Sequence, residues 1–169
     1  MKQLQASSYK PQEQSIRTAF AYSLKLAACS CALLLCMFAI TAQAELSFPA
    51  LTGRVVDTAQ MLEPSVRTQL DAQLKAHEQA TGEQVVVVTL ADLQGSSIED
   101  FGYQLGRHWG IGQKDKNNGA LLIVARDDRK LRIEVGYGLE DRLTDAQSSV
   151  IINQVITPAF KAGNFNKGI

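Results

Sequence analysis

Two polar loops carry the side chains of this chain that are best suited to chemistry. One loop contains Asn117 and Asn118, the other contains Glu140 and Asp141, and Asp145 follows shortly after. Carboxylate and amide oxygens are the ligands that Ca²⁺ and Mg²⁺ prefer, so these residues form a candidate hard-cation site. The alternative is that they are solvated turn residues, with Asp145 favourable at the start of a helix. Both interpretations stay open, because the sequence has no EF-hand spacing or other dense carboxylate motif.

The sequence between the two loops predicts the hairpin that would bring them together. Residues 120–125 are continuously apolar, whereas residues 131–135 alternate apolar and charged side chains. These patterns are typical of a buried strand and of a strand with one face in the core and one in water. The connection at residues 126–130 has the length and Asp content of a tight turn. Antiparallel pairing places the residues that enter the first strand beside those that leave the second, so we expect the loops to meet.

Three further elements precede the hairpin. Apolar residues recur every four positions from Leu62 to Leu74, which predicts a helix that Gly82 ends. Residues 85–90 are an unbroken β-branched run, typical of a central strand that is covered on both faces. A capping box at residues 96–99 predicts the second helix.

A third helix should follow the hairpin. A capping box at residues 144–147 begins it, and Pro158 should bend or end it. The element order predicts an α/β fold, a small three-layer α/β/α sandwich with a mixed β-sheet. The crossover between the strands at 85–90 and 120–125 should be parallel and right-handed.

Residues 1–44 have the pattern of a secretory signal peptide. Four basic residues precede the apolar run 26–40, and Ala42-Gln43-Ala44 supplies a small-residue cleavage site. An uncleaved signal anchor and lipidation at Cys29 are the open alternatives. All three cysteines lie in this segment, so residues 45–169 contain no thiol chemistry.

The charge balance argues against nucleic-acid binding. Subtracting the four basic residues and one acidic residue of the first 44 from totals of 17 and 17 leaves 13 and 16, a net charge of −3. Apart from Arg129-Lys130 the Lys and Arg residues are scattered singly, whereas phosphate neutralisation needs a basic face.

The sequence shows no assembled nucleophile. It has no Gly-x-Ser-x-Gly elbow, and its histidines, His77 and His108, have no identifiable Ser and Asp partners. Each histidine is interpreted as a packed or half-exposed residue, since no second His or Cys is spaced to join it in a metal site.

Five ordered motifs give the chain a family resemblance. They are Gly53–Asp57, Thr81–Val88, Trp109–Gly112, Asn118–Val124 and Gly136–Glu140. Across about residues 48–169 the chain resembles the TPM domain family, in its exported bacterial form, so we assign residues 45–169 to a TPM domain that follows the signal peptide predicted at residues 1–44. The resemblance implies an α/β/α domain on the non-cytoplasmic side of a membrane.

The resemblance also implies candidate activities. Relatives in chloroplast lumens are linked to photosystem II repair and acid phosphatase activity, some members bind calcium, and an animal relative modulates a membrane receptor. The resemblance adds Asp57 to the candidate metal ligands, although the predicted topology puts it at the opposite end of the sheet. The family often has Asp where this chain has Asn117, and a neutral ligand should lower cation affinity.

Three functions therefore remain open. The first is an accessory or binding module for an envelope or membrane protein partner, with calcium dependence undecided. The second is a metal-assisted acid phosphatase, in which the cation would polarise a phosphoryl oxygen. The third is a purely structural interaction domain.

Overall fold

The computed structural model describes residues 45–169, which contain a four-stranded sheet. Its strands, in spatial and chain order, are β1 (Val55–Asp57), β2 (Gln84–Leu90), β3 (Gly119–Ala125) and β4 (Lys130–Val135). β1, β2 and β3 are parallel, and β4 is antiparallel to β3. The predicted mixed sheet, with its central valine strand and its hairpin, is confirmed.

Helices lie on both faces of this sheet. They are α1 (Pro64–Thr81), α2 (Ile98–Trp109), α3 (Asp145–Val150), α4 (Thr157–Lys161) and α5 (Phe165–Gly168), with a 3-10 turn at Tyr137–Leu139 and a π-helical segment at Ile151–Ile156. The predicted three-layer sandwich is confirmed. Within residues 45–169, no helix has both the length and the apolar character needed to cross a membrane.

The face of the sheet under α2 holds the main core. Phe101 and Leu105 of α2 are fully buried against Val86, Val88 and Ile123 of the strands. Gly102 lets the helix approach closely, because a Cβ there would lie 2.6 Å from Ile123 Cδ1. The interior side chains therefore interdigitate at short range, as tight packing requires.

The opposite face packs against α1. Val55, Leu62 and Val87 are buried there, and Val66, Leu70 and Leu74 of α1 cover them while remaining half-buried. The predicted apolar stripe therefore faces the sheet, but Leu62 precedes the helix, which begins at Pro64.

Two of the predicted helix ends agree with the structure and one is shifted. Gly82 ends α1 with φ 76°, a conformation that favours glycine. Thr144 and Gln147 form the predicted capping box of α3. At α2 the cap is Ser97, which accepts a hydrogen bond from Asp100 N at 3.0 Å, so the box predicted from Ser96 was placed one residue early.

The charged side of β4 differs from its prediction. The alternation predicts that Arg132 and Glu134 face water, yet they lie on the side of α2. The Glu134 side chain is only 24% exposed, and Arg132 Nη1 lies 3.9 Å from Glu99 Oε1 of α2. The glycine at position 102 brings the helix over this polar side, because a Cβ there would contact Glu134 as well.

Pro158 does not end the helix at its own position, because the helix continues to Lys161. Residues 145–161 stay helical, but the turns at 151–156 widen into the π segment just before the proline. A proline lacks the N–H that an α-helix would use, and its ring clashes with the carbonyl four residues earlier. Wider turns at this point accommodate the ring.

The predicted signal peptide, residues 1–44, lies outside the described residues. The structure therefore does not test this prediction.

Candidate functional site

The two polar loops meet backbone to backbone. Gly136 N donates to Gly119 O at 2.8 Å, and Gly138 N donates to Asn117 O at 3.1 Å. A Cβ at Gly136 or Gly138 would overlap the backbone of Asn117 or Lys116. Gly136 has φ −73°, so close approach, rather than a left-handed backbone, explains this glycine. We call residues 115–119 and 136–141 together the loop platform.

Asn118 anchors the platform to the fold. Its side-chain Oδ1 accepts from Gln113 N at 2.9 Å, and its Nδ2 donates to Gly82 O at 2.8 Å. Asn118 is only 7% exposed. A buried amide that makes such bonds fixes the conformation of the loop, because leaving its partners unsatisfied would be costly. Asn118 therefore acts as a positioning residue behind the exposed surface.

Three other predicted residues lie on the exposed surface of the platform. Asn117, with φ 49°, Glu140 and Asp141 are all exposed, and their side chains have no hydrogen-bond partner within residues 45–169. Asp145 lies in the first turn of α3, beside the cap Thr144. In this part of the chain, no three His, Cys, Asp or Glu side chains are grouped so that they could hold a metal ion.

The donor set still fits a hard cation in chemical type. Two carboxylates, one amide oxygen and neighbouring backbone carbonyls are oxygen ligands of the kind that Ca²⁺ accepts in flexible geometry. Within residues 45–169 these carboxylates are not grouped with a third His, Cys, Asp or Glu side chain, so a cation would have to draw its ligands together.

Asp57 lies at the other end of the sheet. It pairs with Thr89 near the end of β2, whereas the platform joins the start of β2, where Gln84 pairs with Gly119. Five residues of strand, about 17 Å, separate these levels. The structure therefore does not bring Asp57 together with Asn117 and the other candidate ligands.

The Asp57 carboxylate has a structural role at that end. Oδ1 accepts from Met61 N at 2.9 Å and from the Thr89 hydroxyl, and Oδ2 accepts from Leu62 N at 3.0 Å. These bonds fix the turn between β1 and α1, because each one satisfies a donor that would otherwise be unpaired.

Glu83 is a site residue that the sequence analysis missed. Its Oε1 pairs with Arg142, and its Oε2 lies 3.4 Å from His77 Nε2. The Glu83 side chain is 15% exposed and ties the segment after Asp141 to the start of β2. Arg142 lies 59 residues from Glu83 in the chain, so no local spacing could have revealed that contact.

Comparisons with known proteins agree with this architecture. The family model TPM_phosphatase, described as the TPM domain, matches residues 55–169. The N-terminal domain of a protein from P. gingivalis, solved by NMR, is 37% identical, with a TM-score of 0.64 over 69% of this chain and 74% of that one.

Two further NMR structures show the same fold at lower identity. The N-terminal domain of the cg2496 protein from Corynebacterium glutamicum is 20% identical, with a TM-score of 0.55 over 76% of this chain and 80% of that one. The BA42 protein from the psychrophilic bacterium Bizionia argentinensis is 22% identical, with a TM-score of 0.54 over 63% of this chain and 72% of that one. No curated protein matches the chain. The extent of the family match shows that this chain belongs to the TPM domain family.

Proposed function

We propose that this TPM domain is a binding module whose contact surface is the loop platform, and that a hard cation, Ca²⁺ or Mg²⁺, joins the bound partner to it. The observation that carries the proposal is the backbone contact between the loops. It leaves the oxygen-bearing side chains of Asn117, Glu140 and Asp141 exposed on two loops that are hydrogen-bonded to each other.

The arrangement favours a weak site that a partner completes. Asn117 offers an oxygen without charge, so the two carboxylates supply all the negative charge of the exposed set. A cation held by few protein ligands keeps open positions, which oxygen atoms of a partner can fill.

We further propose that the module acts outside the cytoplasm on an envelope or membrane protein. The basic residues, apolar run and small-residue cleavage site of residues 1–44 support this, because they occur in the order of an export signal. N-terminal sequencing of the protein from cell fractions is expected to begin at Glu45 in exported material. A cytoplasmic protein that still carries Met1 would contradict export.

Calcium titration followed by thermal unfolding tests the cation site. Bound Ca²⁺ stabilises the folded state by mass action, by about 2.7 kcal/mol at a hundred times the Kd. Glu140→Gln should remove most of this shift and leave the metal-free stability within about 0.5 kcal/mol, since an exposed carboxylate contributes little by itself. Asn117→Asp should enlarge the shift by adding a charged ligand.

Glu99→Gln is the control, because Glu99 is an exposed carboxylate on α2 outside the loop platform, with 63% of its side chain exposed and only a long contact of 3.9 Å to Arg132. Its calcium response should equal that of the original protein. If Glu140→Gln and Glu99→Gln respond alike, the loop platform is not the cation site.

The alternative of a metal-assisted phosphatase is favoured by the name of the matching family model. The same variants distinguish it when they are assayed on a generic phosphomonoester with and without EDTA. Turnover that needs both the metal and Glu140 would support the phosphatase, whereas insensitivity to EDTA would indicate a contaminant. A purely structural domain predicts no calcium response in any variant.

A further inference from the structure

A cavity of about 570 Å³ lies along the outer side of β1. β1 is at one edge of the sheet, so this side has no strand neighbour among residues 45–169. Residues 55–58 form the base of the cavity, α1 supplies one wall and residues 49–53 supply the other. α1 packs on one face of the sheet and the apolar side chains of residues 46–51 pack on the other, so the cavity opens over the strand edge between the two layers. We call it the edge groove.

The pairing of β1 with β2 determines which backbone groups face the groove. Thr58 N donates to Thr89 O of β2 at 3.1 Å. Because successive residues of a strand direct their backbone groups to opposite edges, Val55 and Asp57 direct theirs away from β2. Val55 N agrees with this, since it donates to Asp71 Oδ1 at 3.2 Å. An acceptor, Val55 O, and a donor, Asp57 N, therefore face the groove and make no hydrogen bond within residues 45–169.

Asp71 closes the start of this edge. Its Oδ1 accepts from Arg54 N at 2.6 Å and from Val55 N at 3.2 Å, so the carboxylate takes the place of a neighbouring strand there. Proteins protect sheet edges from unspecific pairing by covering them and by keeping edge strands short. The open groups begin only beyond this point, at Val55 O and Asp57 N. The edge can therefore accept a short extended segment but not a long strand.

We propose that the edge groove binds a short extended segment of another polypeptide that carries a basic residue. An extended main chain presents alternating N–H and C=O groups, so it can donate to Val55 O and accept from Asp57 N by strand addition. One cation, Arg67, and two carboxylates, Asp57 and Asp71, line the groove and leave a net charge of −1, which favours a basic segment over an acidic one. Lys75, one turn beyond Asp71, lines a different cavity. The edge groove shares no residue with the loop platform and needs no cation.

NMR titration of the protein with capped peptides tests the proposal. The probe is the pentapeptide Thr-Lys-Thr-Lys-Thr with an acetylated N-terminus and an amidated C-terminus. It should shift the backbone amide of Asp57 in a saturable way and slow its hydrogen exchange, because this N–H gains an acceptor. The same peptide with Glu in place of Lys should bind more weakly.

N-methylated versions of the probe separate backbone pairing from side-chain contact. Only alternate residues of an added strand direct their N–H groups to the edge that they join. Methylation of the Lys nitrogens and methylation of the Thr nitrogens should therefore differ, one abolishing the Asp57 shift and the other leaving it largely intact. If both methylated peptides bind like the original, or if neither binds, strand addition at β1 is wrong.

Asp71→Asn tests the charge of the groove. The amide oxygen can still accept from Arg54 N and Val55 N, whereas the net charge of the lining rises to zero. The affinity for the probe should fall about two- to fivefold, as expected for an exposed ion pair, and Arg67→Gln should raise it by a similar factor. Glu99→Gln removes a carboxylate outside the groove and should change nothing. Unchanged affinity in Asp71→Asn, or tighter binding of the Glu peptide, would overturn the proposal.

Sedimentation without peptide tests whether a second copy of the chain occupies the groove instead. A monomer is expected, and a dimer that the probe dissociates would overturn the assignment to another polypeptide. All titrations contain EDTA, and Glu140→Gln should bind the probe normally. Failure of the cation site and failure of the edge groove can therefore be told apart.

Discussion

The carboxylates at the two ends of the sheet differ in their hydrogen bonding and exposure. At one end, Asp57 accepts hydrogen bonds from two backbone N–H groups and the Thr89 hydroxyl. At the other end, Glu140 and Asp141 are exposed, and the structure gives their side chains no partner among residues 45–169. The same residue chemistry therefore serves folding at one end and remains available for a ligand at the other.

At the loop platform, backbone contacts rather than carboxylates hold the structure together. Gly136 and Gly138 allow the second loop to lie directly on the carbonyls of the first, and Asn118 holds the first loop from behind. The loops are fixed by backbone groups and by the buried Asn118, not by the exposed side chains. This arrangement leaves the exposed side chains free of any structural role.

Breaking the contact between the two loops should lower the unfolding free energy more than removing a carboxylate at either end of the sheet. Gly136→Ala places a methyl group inside the contact distance of Asn117 O, so one loop must move away. We expect a loss of roughly 3 kcal/mol in unfolding free energy, as in overpacked cores, and loss of the calcium response described above. Denaturant unfolding and calcium titration measure the two effects.

Gly106→Ala is the control for this substitution. Gly106 lies in α2, and a Cβ there would have no neighbour within 4 Å. Alanine should stabilise the helix by up to about 1 kcal/mol through its higher propensity. If Gly136→Ala were equally harmless, the close contact of the two loops would be disproved.

Much of the fold was predictable because its signals are local. The valine run of β2, the alternation in β4 and the capping box at Thr144 each depend on a few consecutive residues. β1 was missed because three residues, Val55–Asp57, are too few to show a period. Its strand conformation comes from pairing with β2, 32 residues further along the chain.

The site was predictable only in outline. The hairpin pattern predicted that the loops containing Asn117 and Glu140 would meet, and they do. The sequence could not show that Asn118 turns inward, because its partner Gly82 lies 36 residues away in the chain. Neighbouring asparagines therefore have different roles, one exposed and one structural.

Removing one carboxylate from each end of the sheet tests whether only Asp57 has a structural role. Asp57→Ala leaves Met61 N, Leu62 N and the Thr89 hydroxyl without their acceptor in a region that is partly buried. Unsatisfied donors of this kind cost about 1–3 kcal/mol, and we expect a loss of roughly 2–3 kcal/mol in unfolding free energy with the loop platform intact.

Asp141→Ala should have the smallest effect, because the removed carboxylate makes no bond to other described residues. We expect a change below about 0.5 kcal/mol in the absence of metal, as for other exposed substitutions. Its calcium response should fall, whereas that of Asp57→Ala should persist at temperatures where the variant stays folded. Equal stability losses in the two variants would show that Asp141 is held by the fold after all. A lost calcium response in folded Asp57→Ala would instead mean that Asp57 takes part in cation binding, either directly or through the fold.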